Sequence, residues 1–316
     1  MREEYMECIL LGSGGMMPMP ERLLTSLLVR VEGRMYLFDA GEGTQIGLKR
    51  ARSGIKALRV LAVSHMHADH CLGIPGILMM RAQVPDPGPL TLLGPPGIRH
   101  LLTQIHRSVE FHLNYPIKYV EWQQGASEEA YSDEAVRIFW APLKHTALCL
   151  GYRLEEHPRP GTFRIAAAES LGIPKGPLWG ALQRGETVTL PDGTLVRPEQ
   201  VLSDSRPGRS IVFAVDTRPC KGLYRLLNHA DLAFMDGMFH PRHRDEAETK
   251  GHMTTEDAAR VASRSGVRRA VLVHISPRYR GEEIQELAET ASRRHTEAEM
   301  GSDGAVYSVP LSKTLP

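Results

Sequence analysis

One stretch, Ser64-His65-Met66-His67-Ala68-Asp69-His70, constrains this chain more than any other, because it packs three imidazoles and a carboxylate into a single turn. It follows Leu58 to Val63 (LRVLAV), an apolar run with the length and branching of a buried strand, and precedes Gly73-Ile74-Pro75-Gly76, which opens a helix-like segment. The four polar side chains therefore sit where a strand ends. On such a turn His65 and His67 alternate outward toward one metal, while Asp69 and His70 come round the bend toward a second. Imidazole and carboxylate without thiolate suit zinc, with manganese or iron as alternatives.

Three later positions repeat this logic. Ala135 to Pro142 (AVRIFWAP) reads as a strand that ends near His145, a third ligand for the first metal. Ser210 to Val215 (SIVFAV) delivers Asp216, whose two oxygens can bridge both metals. Ala270 to Val273 delivers His274, the last ligand for the second metal. Asp39, at the end of a strand from Met35, is expected to orient a metal histidine by hydrogen bonding instead of binding metal itself. The helix after it, Ile46 to Ala51, is expected to be capped by Thr44.

The HxHxDH pattern at 65–70 resembles the signature of the metallo-β-lactamase superfamily. Phe38-Asp39-Ala40-Gly41-Glu42-Gly43-Thr44-Gln45 and His274-Ile275-Ser276-Pro277-Arg278-Tyr279 narrow the resemblance to the ribonuclease Z family of tRNA 3′-processing endonucleases. Strands and helices arriving in two successive similar sets, with ligands at strand ends, point to an α/β fold, a four-layer αββα sandwich with metals at one edge. We expect one such domain over 1–316, with an inserted arm at 155–200 where composition shifts to Pro, Gly and turn residues. The resemblance implies that this arm is an exosite holding tRNA, with Lys175, Gly176, Pro177 and Arg184 as its candidate RNA contacts. It also implies that Gly12-Ser13-Gly14-Gly15, whose spacing matches no phosphate-binding loop, lines the rim of the active site.

Two zinc ions roughly 3.5–4 Å apart would activate water and stabilise a phosphodiester under in-line attack. The reaction expected is hydrolysis of a tRNA precursor just after the discriminator base, leaving a 3′-hydroxyl. Asp69 would also orient the attacking water, and His252 would protonate the departing ribose 3′-oxygen, with Asp236 holding His252 in its tautomer. In one place the chain departs from the family: Met235-Asp236-Gly237-Met238 stands where His-Glu-Ala-Thr is usual. The acid is shortened, and Asp236→Glu is expected to restore its reach. Alternative functions are a phosphodiesterase for small cyclic or nucleotide-like esters, or a metal- and RNA-binding scaffold without activity.

Composition narrows the setting. A net charge of +1 over 316 residues is too even for a generally basic nucleic-acid binder, so any RNA grip is local. The run Arg206, Arg209, Arg218, Lys221 and Arg225 is either such a grip or a solvated surface. Four scattered cysteines, with no CxxC pair, form neither a disulfide framework nor a zinc ribbon and fit a reducing cytoplasm. No apolar run reaches the roughly 20 residues that span a bilayer. The family resemblance suggests a homodimer.

Overall fold

The computed structural model describes residues 5–311. They divide into two compact units, one formed by residues 5–155 with 209–310 and the other centred on 156–208.

The first unit contains two seven-stranded sheets. Its strands in chain order are β1 (Tyr5–Gly12), β2 (Ser26–Val31), β3 (Arg34–Phe38), β4 (Leu58–Ala62), β5 (Leu90–Gly94), β6 (Ile117–Glu121), β7 (Glu129–Ser132), β8 (Val136–Pro142) and β9 (Leu150–Glu156). After β10 (Val188–Thr189) and β11 (Leu195–Val196), which form a hairpin in the second unit, come β12 (Ser210–Ala214), β13 (Leu232–Asp236), β14 (Arg269–Val273), β15 (Ala298–Met300) and β16 (Val306–Pro310). One sheet runs β16-β1-β2-β3-β4-β5-β6 and the other β15-β14-β13-β12-β9-β8-β7.

Alternation along the strands builds the layers. In β2, Leu27, Val29 and Val31 join the core between the sheets, while Leu28 faces the helices outside. In β12, Ile211 and Phe213 point inward and Val212 and Ala214 outward. Side chains on opposite faces at a period of two account for both sets. Because both faces are covered, these strands read as near-continuous apolar runs, broken in β2 only by Arg30. Phe38 packs its ring 5.8 Å from Tyr152 and 5.7 Å from Phe213, joining the sheets directly. The result is the expected αββα sandwich.

Several local expectations change. Thr44 does not cap its helix; it is the first residue of the helix Thr44–Arg50, and its hydroxyl donates to Gly41 O at 2.8 Å. Gly43 takes the cap position with φ 87°, a backbone that glycine adopts without cost. The basic run is broken up by separate structural tasks. Arg209 is buried and donates to Val309 O, Arg218 pairs with Glu248, Arg225 with Glu128, and Arg206 donates to Pro160 O. Within the same run Lys221–Leu227 is a helix burying Leu223, Leu226 and Leu227. The loop before Gly251 contains another helix, Arg244–Lys250.

The second unit has its own apolar cluster, including Ala168, Ile173, Leu182, Val188 and Val201, beneath helices Ile165–Ser170 and Pro177–Gln183. Bridges Phe163–Leu202 and Arg159–Arg206 carry it on past the composition shift at 200. Gly176 opens the second helix at φ 152°, with Pro177 at its first position, where the missing N–H breaks no helical bond. Lys175 lies 6.0 Å from the Trp179 ring and Arg184 pairs with Glu186.

Among the described residues no helix is long and apolar enough to cross a membrane, and all four cysteines are free. A buried guanidinium organises the Pro-rich loop before β5. Arg81 is 0% exposed, donates to Leu58 O, Pro87 O and Gly88 O at 2.8–3.1 Å, and stacks 4.3 Å from the Tyr115 ring. Arg81→Met leaves these carbonyls without donors in the interior. It is expected to destabilise the fold by roughly 2–4 kcal/mol, read as a lower urea midpoint with the metal content of folded protein unchanged.

Candidate metal centre

The candidate residues converge at the C-terminal ends of the central strands. β4 leads to Ser64 and His65, and His67 then precedes the short helix Ala68–Cys71, which carries Asp69 and His70. Asp39 follows β3, Asp216 lies just past β12, and His274 follows β14. All three have left-handed backbones, with φ of 56°, 51° and 60°. Such a conformation costs a non-glycine residue about 1–3 kcal/mol and persists where surrounding contacts hold it.

Asp216 lies between two sets of imidazoles. Its Oδ2 is 3.6 Å from His65 Nε2 and 3.6 Å from His145 Nε2. Its Oδ1 is 3.4 Å from His70 Nε2 and 3.2 Å from His274 Nε2. On the first side, His67 brings Nδ1 to 2.8 Å from His65 Nε2. On the second, Asp69 Oδ2 stands 3.5 Å from His70 Nε2 and 3.4 Å from His274 Nε2.

Hydrogen bonds behind the rings decide which nitrogens face inward. Asp39 accepts from the Ser64 N–H and hydroxyl at 2.6 and 2.7 Å and from His70 Nδ1 at 2.6 Å. Ser64 Oγ thereby accepts from His65 Nδ1 at 3.0 Å, and Gly251 O accepts from His145 Nδ1 at 3.1 Å. Each bond turns an Nε2 lone pair toward the centre. Sequence reasoning gave Asp39 this task but missed Ser64 and Gly251. A hydroxyl directly before the first histidine was the available signal for Ser64; a backbone carbonyl 106 residues away from His145 leaves none.

This donor set fits divalent cations. His70 Nε2 and His274 Nε2 approach to 3.3 Å, and Asp216 Oδ1 and His274 Nδ1 are buried without hydrogen-bond partners. Bond lengths of about 2.0–2.1 Å in a tetrahedral zinc site put ligand atoms about 3.3 Å apart, close to the separations here. The groups able to hold an ion are His65, His67, His145 and Asp216 on one side and Asp69, His70 and His274 on the other.

The electrostatics agree. Burial, reinforced by the facing His70, lowers the His65 imidazole to about 2, leaving it a neutral donor. Burial also acts downward on His70, but Asp216 and Asp39 outweigh it and raise this imidazole well above its ordinary value. Burial alone would raise Asp69 and Asp216. Hydrogen bonds to His274 and His70 instead hold Asp69 well down, and the charges of His274 and His70 do the same for Asp216. The carboxylates thus create a demand for positive charge.

His252 stands beside the centre. Its Nε2 is 4.0 Å from Asp216 Oδ2, and its Nδ1 donates to Asp236 Oδ2 at 2.8 Å. Burial depresses this imidazole, but Asp236 outweighs it and the net shift is upward, toward the protonated form. Asp216, Asp236, His252 and His274 also lie close enough to hold an ion. With Nδ1 committed to Asp236, His252 turns Nε2 toward the centre. Asp236 is fully buried and also accepts from the Thr217 and Met238 N–H groups at 3.1 and 3.0 Å. The shortened acid already reaches its histidine, so Asp236→Glu has no reach to restore and would overpack a closed pocket. The four candidate RNA contacts, Lys175, Gly176, Pro177 and Arg184, all belong to the second unit.

Gly15 sets a close approach that the sequence does not reveal. A Cβ built there would meet His274 Cε1 at 2.5 Å and both ring nitrogens at 2.7 Å. Gly15→Ala is therefore expected to displace His274 and weaken binding at the Asp69–His70–His274 side by about tenfold or more. The His65–His67–His145 side should keep its affinity, as resolved by zinc titration.

A family model for a beta-lactamase superfamily domain matches residues 200–275, and one for the anti-Pycsar protein Apyc1 matches residues 6–112. The chain is 38% identical to ribonuclease Z of Treponema denticola over 94% of its length and 96% of that protein's. It is 39% identical to ribonuclease Z of Methanosarcina acetivorans over 85% of its length and 87% of the relative's. In architecture it is similar to the short form of human tRNase Z, with a TM-score of 0.69 at 22% identity, covering 97% of this chain and 100% of that one. YhfI of Bacillus subtilis, a metallo-beta-lactamase fold protein, matches with a TM-score of 0.66 at 16% identity over 97% of this chain and all of YhfI. Sequence identity of 38–39% sustained over 85–94% of the chain, on a sandwich whose strand ends gather histidines around Asp216, makes this chain a member of the ribonuclease Z family.

Proposed function

We propose that this protein is a zinc-dependent endoribonuclease that removes the 3′ trailer from tRNA precursors, hydrolysing one phosphodiester and leaving a 3′-hydroxyl on the tRNA. The observation that carries the reading is Asp216, one oxygen toward each set of imidazoles, with the His252–Asp236 pair alongside. His65, His67 and His145 would hold one zinc and Asp69, His70 and His274 the other, with Asp216 shared; manganese and iron suit the same donors. When bound, such ions supply Lewis acidity to the phosphodiester and lower the pKa of water.

The chain's own residues supply orientation and the proton. Asp69 accepts a hydrogen bond from the attacking water and aims it at phosphorus, in line with the bond to the ribose 3′-oxygen; the water oxygen bonds to phosphorus, and its displaced proton passes to solvent from the new 5′-phosphate of the trailer. As that bond breaks, the electron pair goes to the 3′-oxygen, which takes the proton on His252 Nε2. Asp236 keeps that proton on Nε2 by engaging Nδ1 and favours the charged imidazole. Asp39 and Ser64 hold the His65 and His70 rings in place throughout. The unit at 156–208, with Lys175, Gly176, Pro177 and Arg184, serves as a remote grip on the tRNA body. A homodimer in a reducing cytoplasm completes the reading, consistent with four free thiols.

Incubation with a 3′-extended tRNA precursor and with a small chromogenic phosphodiester, with and without chelator, tests the proposal. We expect chelator-sensitive cleavage of the precursor at a single bond. Cleavage of the small ester alone would favour a small-substrate phosphodiesterase, and cleavage of neither a metal- and RNA-binding scaffold. Trimming the arm between Arg159 and Val196 should impair precursor cleavage far more than small-ester cleavage, because only the larger substrate can use remote contacts. Equal losses would instead make the arm part of the catalytic fold.

For the proton donor, His252→Ala should lower kcat on the precursor by about two to four orders of magnitude with zinc content unchanged. Asp236→Asn should do less, and Asp236→Glu should slow the reaction instead of restoring it. Wild-type turnover by His252→Ala would transfer the proton to water or another residue.

A further inference from the structure

The glycine-rich loop is held by a residue that neither the ligand set nor the proton donor involves. Asp303, near the C-terminus, uses Oδ1 to accept from both the N–H and the hydroxyl of Ser13 at 2.8 Å, and Oδ2 to accept from the Leu23 N–H at 2.6 Å. Ser13 and Leu23 are the two ends of one loop, so a single carboxylate clasps both. The clasp is itself fixed: Gly304, at φ 80°, donates to Leu10 O at 2.7 Å, and Leu10 donates to Ala305 O at 3.0 Å.

Within the loop, Gly14 donates to Leu23 O at 2.9 Å, Gly15 to Ile275 O at 3.1 Å, and Ile275 back to Ser13 O at 2.9 Å. These bonds seat the loop on the residue after His274. The next residue, Met16, has a left-handed backbone with φ 70°, and its N–H donates to Asp69 Oδ2 at 2.8 Å. That is the oxygen lying 3.5 Å from His70 Nε2 and 3.4 Å from His274 Nε2. Met16 is about half exposed, so burial of its side chain does not hold it there.

We propose that Asp303 is a positioning residue for Asp69: by clasping Ser13 and Leu23 it aims the Met16 N–H at Asp69 Oδ2 and so fixes the carboxylate toward the second cation. This rests on the reading of Asp69, His70 and His274 as ligands. When the clasp opens, the loop keeps only its backbone bonds to Leu23 and Ile275, the Met16 N–H is aimed less firmly at Asp69, and its carboxylate gains rotational freedom. Partners that orient a ligand in this way are typically worth 10–100-fold in metal affinity or activity. The first side, His65, His67 and His145, has no bond to this loop among those found in the described residues.

The test is titration of the metal-free full chain with zinc against a chromophoric chelator, on wild type, Asp303→Ala, Asp303→Asn and Ser13→Ala, alongside kcat and KM on a tRNA precursor. Asp303→Asn is isosteric and keeps an acceptor for Ser13 but turns an amide N–H toward the Leu23 N–H, so it opens one end of the clasp while sparing the fold. We expect both Asp303 variants to bind the first zinc as wild type does and the second 10–100-fold more weakly. Their kcat should fall in parallel with KM unchanged, and Ser13→Ala should shift both quantities less in the same direction. A purely structural role would lower thermal stability while leaving the second zinc affinity and kcat of folded protein intact. That result, in Asp303→Asn assayed well below its melting temperature, overturns the proposal alone. Wild type that takes up only one zinc overturns the two-cation reading and this proposal with it.

Discussion

A carboxylate buried among imidazoles is the constraint on which the rest of this structure depends. Asp216 is 2% exposed, and removing a charge from water is costly unless it is paired and hydrogen-bonded. The imidazoles around it bring ring nitrogens to within 3.2–3.6 Å of the carboxylate, an arrangement whose donors suit a cation better than an ordinary core. The hydrogen-bonded residues behind it follow from that need. Asp39, Ser64 and the Gly251 carbonyl each hold the far side of a ring, so that the near side is available.

The sandwich provides the place for such a centre. Parallel strands β3, β4 and β12 to β14 end at one edge, where backbone no longer committed to a ladder can turn sharply. Asp39, Asp216 and His274 make that turn through left-handed φ values, and the sheet interior behind them, anchored by Phe38, Phe213 and Phe234, holds the turns in place. Close packing is what allows strained backbone to persist where chemistry needs it.

The pair His252–Asp236 shows how a short acid serves where a longer one is usual. Asp236 ends β13 and accepts three backbone N–H groups besides His252, so its position is set by the strand and the turns around it. Sequence reasoning treated the missing methylene as lost reach. In the fold the histidine is close enough that an aspartate suffices.

Much of this was legible in the sequence because it is local. The spacing His65, His67, Asp69, His70 fixes four polar groups on one turn after a strand, and runs such as SLLVRV and SIVFAV are strands buried on both faces whatever surrounds them. Asp216 and His274 were legible for the same reason, each at the tip of such a run. What only the tertiary structure decided lies in contacts between distant parts of the chain. β16 pairs with β1 across almost the full length of the sequence, Gly15 clears space for the His274 ring, and Asp303 clasps a loop 290 residues earlier. Short edge strands, glycines and single carboxylates carry no periodicity of their own. Their roles come from strand register and loop docking, which depend on how the whole chain packs and not on the residues beside them.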